Sequence, residues 1–121
     1  TGNSLLYNAC INDNNAEIIK YLYEIGVDLN DRDCKNLTPL MYISIETVIK
    51  DVYIDNVKAL LDCGVNPKQV FNDGTPLLMV AAIKGNVKTA KLIYEYIIKQ
   101  EREDAVREYI ENNGGNINDK V

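Results

Sequence analysis

Eighteen acidic side chains and no histidine set the terms on which this chain of 121 residues could do chemistry. Asp28, Asp31, Asp33, Asp55 and Asp73 fall in or beside turn-like stretches. Two carboxylates at one site can work as acid and base or hold a cation. Aspartate is also an ordinary turn and cap residue, and the Asp-x-Asp-x-Asp-Gly spacing of a calcium loop is absent. The turn reading is the stronger. Without histidine the chain has no Ser-His or Cys-His nucleophile pair, lacks the commonest general base, and loses most zinc sites.

The remaining reactive groups point the same way. Cys10, Cys34 and Cys63 are an odd set with no CxxC spacing, which favours free thiols in a reducing compartment over a disulfide framework. No cluster of positive charge adjoins them to activate a thiolate. Cys10 is expected in the core and Cys34 at an exposed tip. Asn113-Gly114-Gly115-Asn116 is followed by neither Gly-Lys-Ser/Thr nor GxGxxG, so it reads as a helix end and not a phosphate loop. The chain is expected to be no enzyme and to need no metal or cofactor. Its eight tyrosines are many for this length. Tyrosine suits interfaces, yet most of these sit at helical spacing beside Leu or Ile, where packing is the default. Tyr53 is the one best placed to serve a partner.

Composition narrows the partners. A net charge of −5 argues against a surface that tracks nucleic-acid phosphates. No apolar run approaches the roughly 20 residues that span a bilayer, and the N-terminal residues do not read as a signal peptide. The chain starts at Thr1 and not at methionine, so a fragment of a longer protein is expected.

The elements that must position these residues come from a repeat. Thr38-Pro39-Leu40 recurs as Thr75-Pro76-Leu77, and Ser4-Leu5-Leu6 precedes both with the hydroxyl and the final leucine kept. Each is followed by a short apolar segment and a longer amphipathic one, such as Asn56-Val57-Lys58-Ala59-Leu60-Leu61 or Asn86-Val87-Lys88-Thr89. A glycine turn then closes the unit at Gly26, Gly64 and Gly114. Threonine before proline predicts an N-cap with proline at the first helical position. The closing glycines predict left-handed C-caps. Neither helix of a unit could bury its stripe alone, so the units must stack.

In this order the signals resemble the ankyrin repeat, whose pattern runs Gly-x-Thr-Pro-Leu-His-x-Ala-Ala, Val-Val-x-Leu-Leu, Gly-Ala-Asp-Val-Asn. Leu78-Met79-Val80-Ala81-Ala82 and Gly85-Asn86 match it in the third unit. Asn36 stands in for the glycine before Thr38, and Tyr7, Met41 and Leu78 hold the histidine position. The resemblance implies an all-α solenoid of about three helix-turn-helix units, near 1–33, 34–70 and 71–121, with hairpin-like connecting loops. The second unit carries extra residues near Glu46 to Ile54. The third carries about a dozen, most simply in Lys99 to Arg107, where Lys99–Glu103 and Glu103–Arg107 pairs at i,i+4 predict a prolonged or an extra helix.

The Ile-, Asn-, Lys-, Tyr- and Asp-rich composition is that expected of an AT-rich genome, which protozoa, giant viruses and intracellular bacteria share. The run Thr38-Pro39-Leu40-Met41-Tyr42, the insertion, and Ile54 to Pro67 resemble the irregular ankyrin proteins of poxviruses. That resemblance implies a module binding a host protein in the host cytoplasm. Such proteins commonly add a C-terminal F-box-like segment that recruits a cellular ubiquitin ligase, and these 121 residues hold none. By the family's habit, partners meet the hairpin tips, here Arg32, Cys34, Lys35 and Leu37, then Phe71, Asn72 and Asp73. They also meet the exposed side of the inner helices, here Ile11 and Asn12, Ile45 and Glu46, Ile83 and Lys84. An exposed Phe71 would serve as a hot spot; its alternative is packing against the next repeat. The alternative is a spacer in a larger repeat protein whose binding is carried elsewhere.

Overall fold

A computed structural model describes residues 2–12, 16–46 and 51–114. Six helices run through them in chain order: α1 (Gly2–Asn12), α2 (Ala16–Glu24), α3 (Pro39–Glu46), α4 (Ile54–Asp62), α5 (Leu77–Ile83) and α6 (Val87–Asn112). They form three pairs of an inner helix (α1, α3, α5) followed by an outer one (α2, α4, α6). Inner helix stacks on inner, and outer on outer, along an all-α solenoid. No strand occurs among the described residues, only the isolated bridge between Val70 and Pro76.

Helical spacing decides which side chains go inside. Val57, Leu60 and Leu61 form the buried stripe of α4, and Ile19 and Leu22 do the same for α2 while Glu17 and Lys20 stay in water. Leu6 and Cys10 of α1, Leu40, Met41 and Ile43 of α3, Leu77 and Ala81 of α5 and Ile93 of α6 complete one continuous core. Each fully buried Leu or Ile contributes about 1.5–3 kcal/mol of transfer free energy.

Glycine ends the helices as expected. Gly26 and Gly64 take φ of 94° and 95°. Behind them Val27 N–H reaches the Leu22 carbonyl at 3.0 Å, and Val65 N–H reaches that of Leu60 at 3.1 Å. These bonds satisfy carbonyls that the helix leaves open. At the tips, Asn36 takes φ of 63° where Gly74 takes 89°, so the asparagine fills the glycine's left-handed role.

The helix starts hold three corrections. Thr38 is the cap foreseen, its Oγ1 accepting the Met41 N–H at 3.2 Å with Pro39 opening α3. Thr75 is not. Pro76 is extended, with ψ of 144°, because Leu77 N–H is drawn to the Gln69 carbonyl at 2.9 Å and the bridge to Val70 holds the hairpin closed. In the first pair, α1 already begins at Gly2, so Ser4 lies within the helix and not at its start. The two Asn-Val-Lys triplets are also not equivalent. Asn56 falls inside the first turn of α4, whereas Asn86 precedes α6.

Both asparagines nonetheless do one job. Asn56 Nδ2 donates to the Cys10 carbonyl at 3.0 Å, and Asn86 Nδ2 to the Ser44 carbonyl at 3.2 Å. In each case a buried amide at the start of an outer helix satisfies the end of the previous pair's inner helix. The turn before α4 adds a second tie. Asp51, at φ of 59°, gives its N–H to Asn86 Oδ1 at 3.0 Å. Its carboxylate accepts the N–H groups of Lys88 and Thr89 and the Thr89 hydroxyl. Asp51 therefore caps α6 from another repeat, a task that Asn86, turned towards Ser44, does not perform. Residues 47–50 of the expected insertion lie outside the described residues.

The expected surplus in the third pair is one prolonged helix, α6, of 26 residues against 9 for α2 and α4. It closes at Asn113 and Gly114, whose φ is 73°; Gly115 to Asp119 lie outside the described residues. The foreseen Lys99–Glu103 and Glu103–Arg107 pairs do not form. Arg107 turns back one turn to Asp104, and the Lys99 ammonium lies over the Tyr96 ring at 5.8 Å.

Candidate functional site

Two hairpin tips project between the helix pairs, and hydrogen bonds set their form. Asp33 N–H donates to the Leu37 carbonyl at 3.0 Å, and Phe71 N–H to that of Thr75 at 2.9 Å. The Asp33 carboxylate accepts from Lys35 N–H and Leu37 N–H. Asp73 accepts from Thr75 N–H at 2.9 Å. That bond, and then the Thr75 hydroxyl, holds Asp73 below the usual carboxylate range. The tips are joined by Asn36 Nδ2 donating to Asn72 Oδ1. Arg32 is folded along its own tip, its guanidinium donating to the Asn36 carbonyl at 2.9 Å. The tip carboxylates thus serve as turn acceptors, as the sequence indicated.

The loss of the family's histidine is partly made good at Tyr7. Its hydroxyl donates to the Leu37 carbonyl and stands 3.2 Å from that of Asp31, and its ring meets Tyr42 at 5.4 Å. Burial, and then the charges of Asp33 and Asp31, push the Tyr7 phenol up to about 12. Tyr7 is a strut between the first pair and the first tip. Cys10 is buried as expected, with its thiol pushed up to about 12, and Cys34 is exposed at the tip.

The residues proposed for partner contact separate into three groups. Arg32, Cys34, Lys35, Asn72 and Asp73 on the tips are exposed, as are Ile83 and Lys84 at the end of α5. Leu37, Ile11 and Ile45 are half-buried, and so is Phe71, which packs against the core instead of standing free. The side chains of Asn12 and Glu46 lie outside the described ones. Tyr53 is half-buried, and its hydroxyl donates to the Ile11 carbonyl, tying the turn before α4 to α1. A role inside the molecule accounts for it.

Met79 extends the foreseen Ile83 into an apolar pair that the sequence reading did not mark as a whole. Met79, 53% exposed, and Ile83, 73% exposed, lie one turn apart on α5. With about 3.6 residues per turn they occupy the side opposite the buried Leu77 and Ala81. The signal was available in the sequence: Leu77–Ile83 has no polar residue, and a surface helix cannot bury every side. Met79 and Ile83 follow in chain from the Phe71–Thr75 tip.

The outer side is different in kind. Lys58 pairs with Asp62 at 2.8 Å, and Tyr96 also donates to Asp62. Where α6 passes the end of α4, a polar cleft of 310 Å³ is lined by Asp62, Asn66, Tyr96, Lys99, Gln100 and Glu103. Among the described residues no group of three or more His, Cys, Asp or Glu side chains gathers as a metal set, and no helix is long and apolar enough to cross a membrane.

Stacked helix pairs joined by projecting hairpin tips define a helical-repeat scaffold of the kind that presents a surface to other proteins. Residues 1–69, more than half of the chain, match the family profile described as ankyrin repeats in three copies, and the chain belongs to the ankyrin repeat family. Ankyrin repeats are generally protein–protein interaction modules and typically not enzymes. The third pair, from the Val70 tip onward, lies beyond the matched residues and repeats the same helix arrangement. No curated protein and no solved structure matches the chain.

Proposed function

We propose that this domain is the recognition module of a viral host-range or immune-evasion protein and binds a host protein through its inner-helix side. The observation that carries the surface is the exposed Met79–Ile83 pair beside tips that bear Lys35, Asn72 and Asp73. An apolar centre with a polar rim is the arrangement from which protein interfaces draw their affinity. Family membership supports the binding role. The viral assignment is supported by the poxvirus-like run from Thr38 to Pro67 and by the Ile-, Asn- and Lys-rich composition. The host cytoplasm is the compartment that fits free thiols in this reading.

Affinity capture from host-cell lysate tests it. The chain is compared with a Met79→Ser, Ile83→Ser, Lys35→Ala variant and with an outer-side control, Lys88→Ala. The expected result is a protein retained by the parent and the control and lost by the triple variant, all three melting alike. Capture of nothing, or equal capture by all three, contradicts the proposal.

A further inference from the structure

The two ends of the stack leave apolar residues uncovered, and the inner interfaces show what such residues do when covered. Leu22, Leu60 and Ile93 are the buried anchors of the three outer helices and fix their common register. In that register Ala59, 1% exposed beneath α2, corresponds to Tyr21, 60% exposed on the outer edge of the first pair. Leu61, 4% exposed beside α6, corresponds to Tyr94, 54% exposed on the outer edge of the third pair. Leu5, Ile18 and Ile25 extend the first surface, and Val87 extends the second. Each edge is thus one half of an interface that the molecule already makes twice.

Charge follows the same register. Lys20 of α2 lines a groove with Asp62 of α4, and Lys58 of α4 lines the next groove with Glu95 of α6. Asp62 is held below the usual carboxylate range, first by the hydrogen bonds from Lys58 and Tyr96, with the Lys20 charge adding to them. Lys91, at the matching position of α6, also lines this second groove and is exposed at its rim. One step before the first groove, Glu24 stands exposed on α2. The lysine and the acid that end the series complement each other.

We propose that a second copy of this chain stacks head to tail, its α1/α2 edge seated on the α5/α6 edge of the first. Lys91 of one copy then faces Glu24 of the next across a groove, as Lys20 and Asp62 line one within the molecule, while Tyr94 and Val87 are covered by Tyr21, Ile18 and Leu5. The contact is heterologous, so each copy keeps one free edge and the assembly is open-ended. It leaves the inner-helix side free for a different protein.

Sedimentation equilibrium on the 121-residue chain tests this. The average mass is expected to climb with concentration past that of a dimer. Tyr21→Glu alone and Tyr94→Glu alone should each stay monomeric, since each spoils one edge. Mixed in equal amounts they should form a dimer and nothing longer, because one good edge of each kind remains. Lys91→Glu should weaken assembly at least about tenfold, and Glu24→Lys in the same chain should restore it. A parent chain that stays monomeric to millimolar concentration, as when a fused repeat unit is the occupant of these edges, overturns the proposal. So does association that survives both tyrosine variants, which would place the contact elsewhere, as on the Val106 and Ile110 side of α6.

Discussion

The second and third helix pairs start from the same three residues, Thr-Pro-Leu, and use them differently. Thr38 caps α3 and Pro39 enters the helix, whereas Thr75 and Pro76 belong to a hairpin and α5 begins after them. The outer helices diverge further. The α4 helix begins at Ile54 and has its own Asn56 inside the first turn; α6 takes its cap from Asp51 of the turn before α4 and runs on for 26 residues. A shared motif fixes the order of elements. The hydrogen bonds at each junction decide which residue does which task.

The largest effect is expected where that junction is most loaded. Asn86 holds both the Ser44 carbonyl and the Asp51 N–H while fully buried. Asn86→Ala should therefore cost about 2–3 kcal/mol, the cost of orphaning buried partners, and should loosen the third pair more than the second. Urea denaturation followed by hydrogen exchange in α6 checks both statements. A loss spread evenly over α4 and α6 would break the distinction.

Asp51→Ala comes next, at about 1–2 kcal/mol, the usual worth of a helix N-cap. Asp51 is drawn below 3.8 although burial, the largest single influence, opposes this; hydrogen bonds from Thr89 and Lys88 together outweigh it. A depressed carboxylate contributes stability that is full above the unfolded value and is lost as pH falls through the folded one. The parent should therefore lose stability below about pH 3.8, and Asp51→Asn should flatten that part of the profile. An unchanged slope would remove the cap from the account.

The two threonines give the sharpest paired comparison. Thr38→Val should cost at least about 1 kcal/mol through the lost cap and the lost buried hydrogen bond to Gln69. Thr75 is half-buried and caps no helix, so Thr75→Val should cost less than about 0.5 kcal/mol. Equal costs would mean that the hairpin does not displace the cap. The smallest effect is at the tips, where Asn36→Gly should change stability by less than about 0.5 kcal/mol, since Asn36 already holds the left-handed backbone that glycine prefers. Matched thermal melts measure all three.

Much of this was legible from spacing. The apolar stripes of α2 and α4, the glycine caps, the buried Cys10 and the exposed Cys34 follow from residue type and period. The surplus helical residues of the third pair were legible as well, but a prolonged and an extra helix stayed open; no breaker interrupts Val87 to Asn112, and one helix forms. Less of the candidate site was readable. The sequence marks Phe71 as large and flanked by polar residues, but only the tertiary fold shows it packed on the core. Tyr53 and Asp51 looked like loop residues because their partners, Ile11, Lys88 and Thr89, are distant in the chain. Met79 was hidden among apolar neighbours, because a segment without polar residues shows no period that separates its faces.

The central claim is that the inner-helix side is the recognition surface. Hydrogen exchange of the domain, free and bound to the captured host protein, tests it most directly. The account predicts protection confined to the tips at 33–37 and 71–75 and to 79–84, with the outer faces of α2 and α4 unchanged. Protection on α2 and α4 with none at the tips would contradict it.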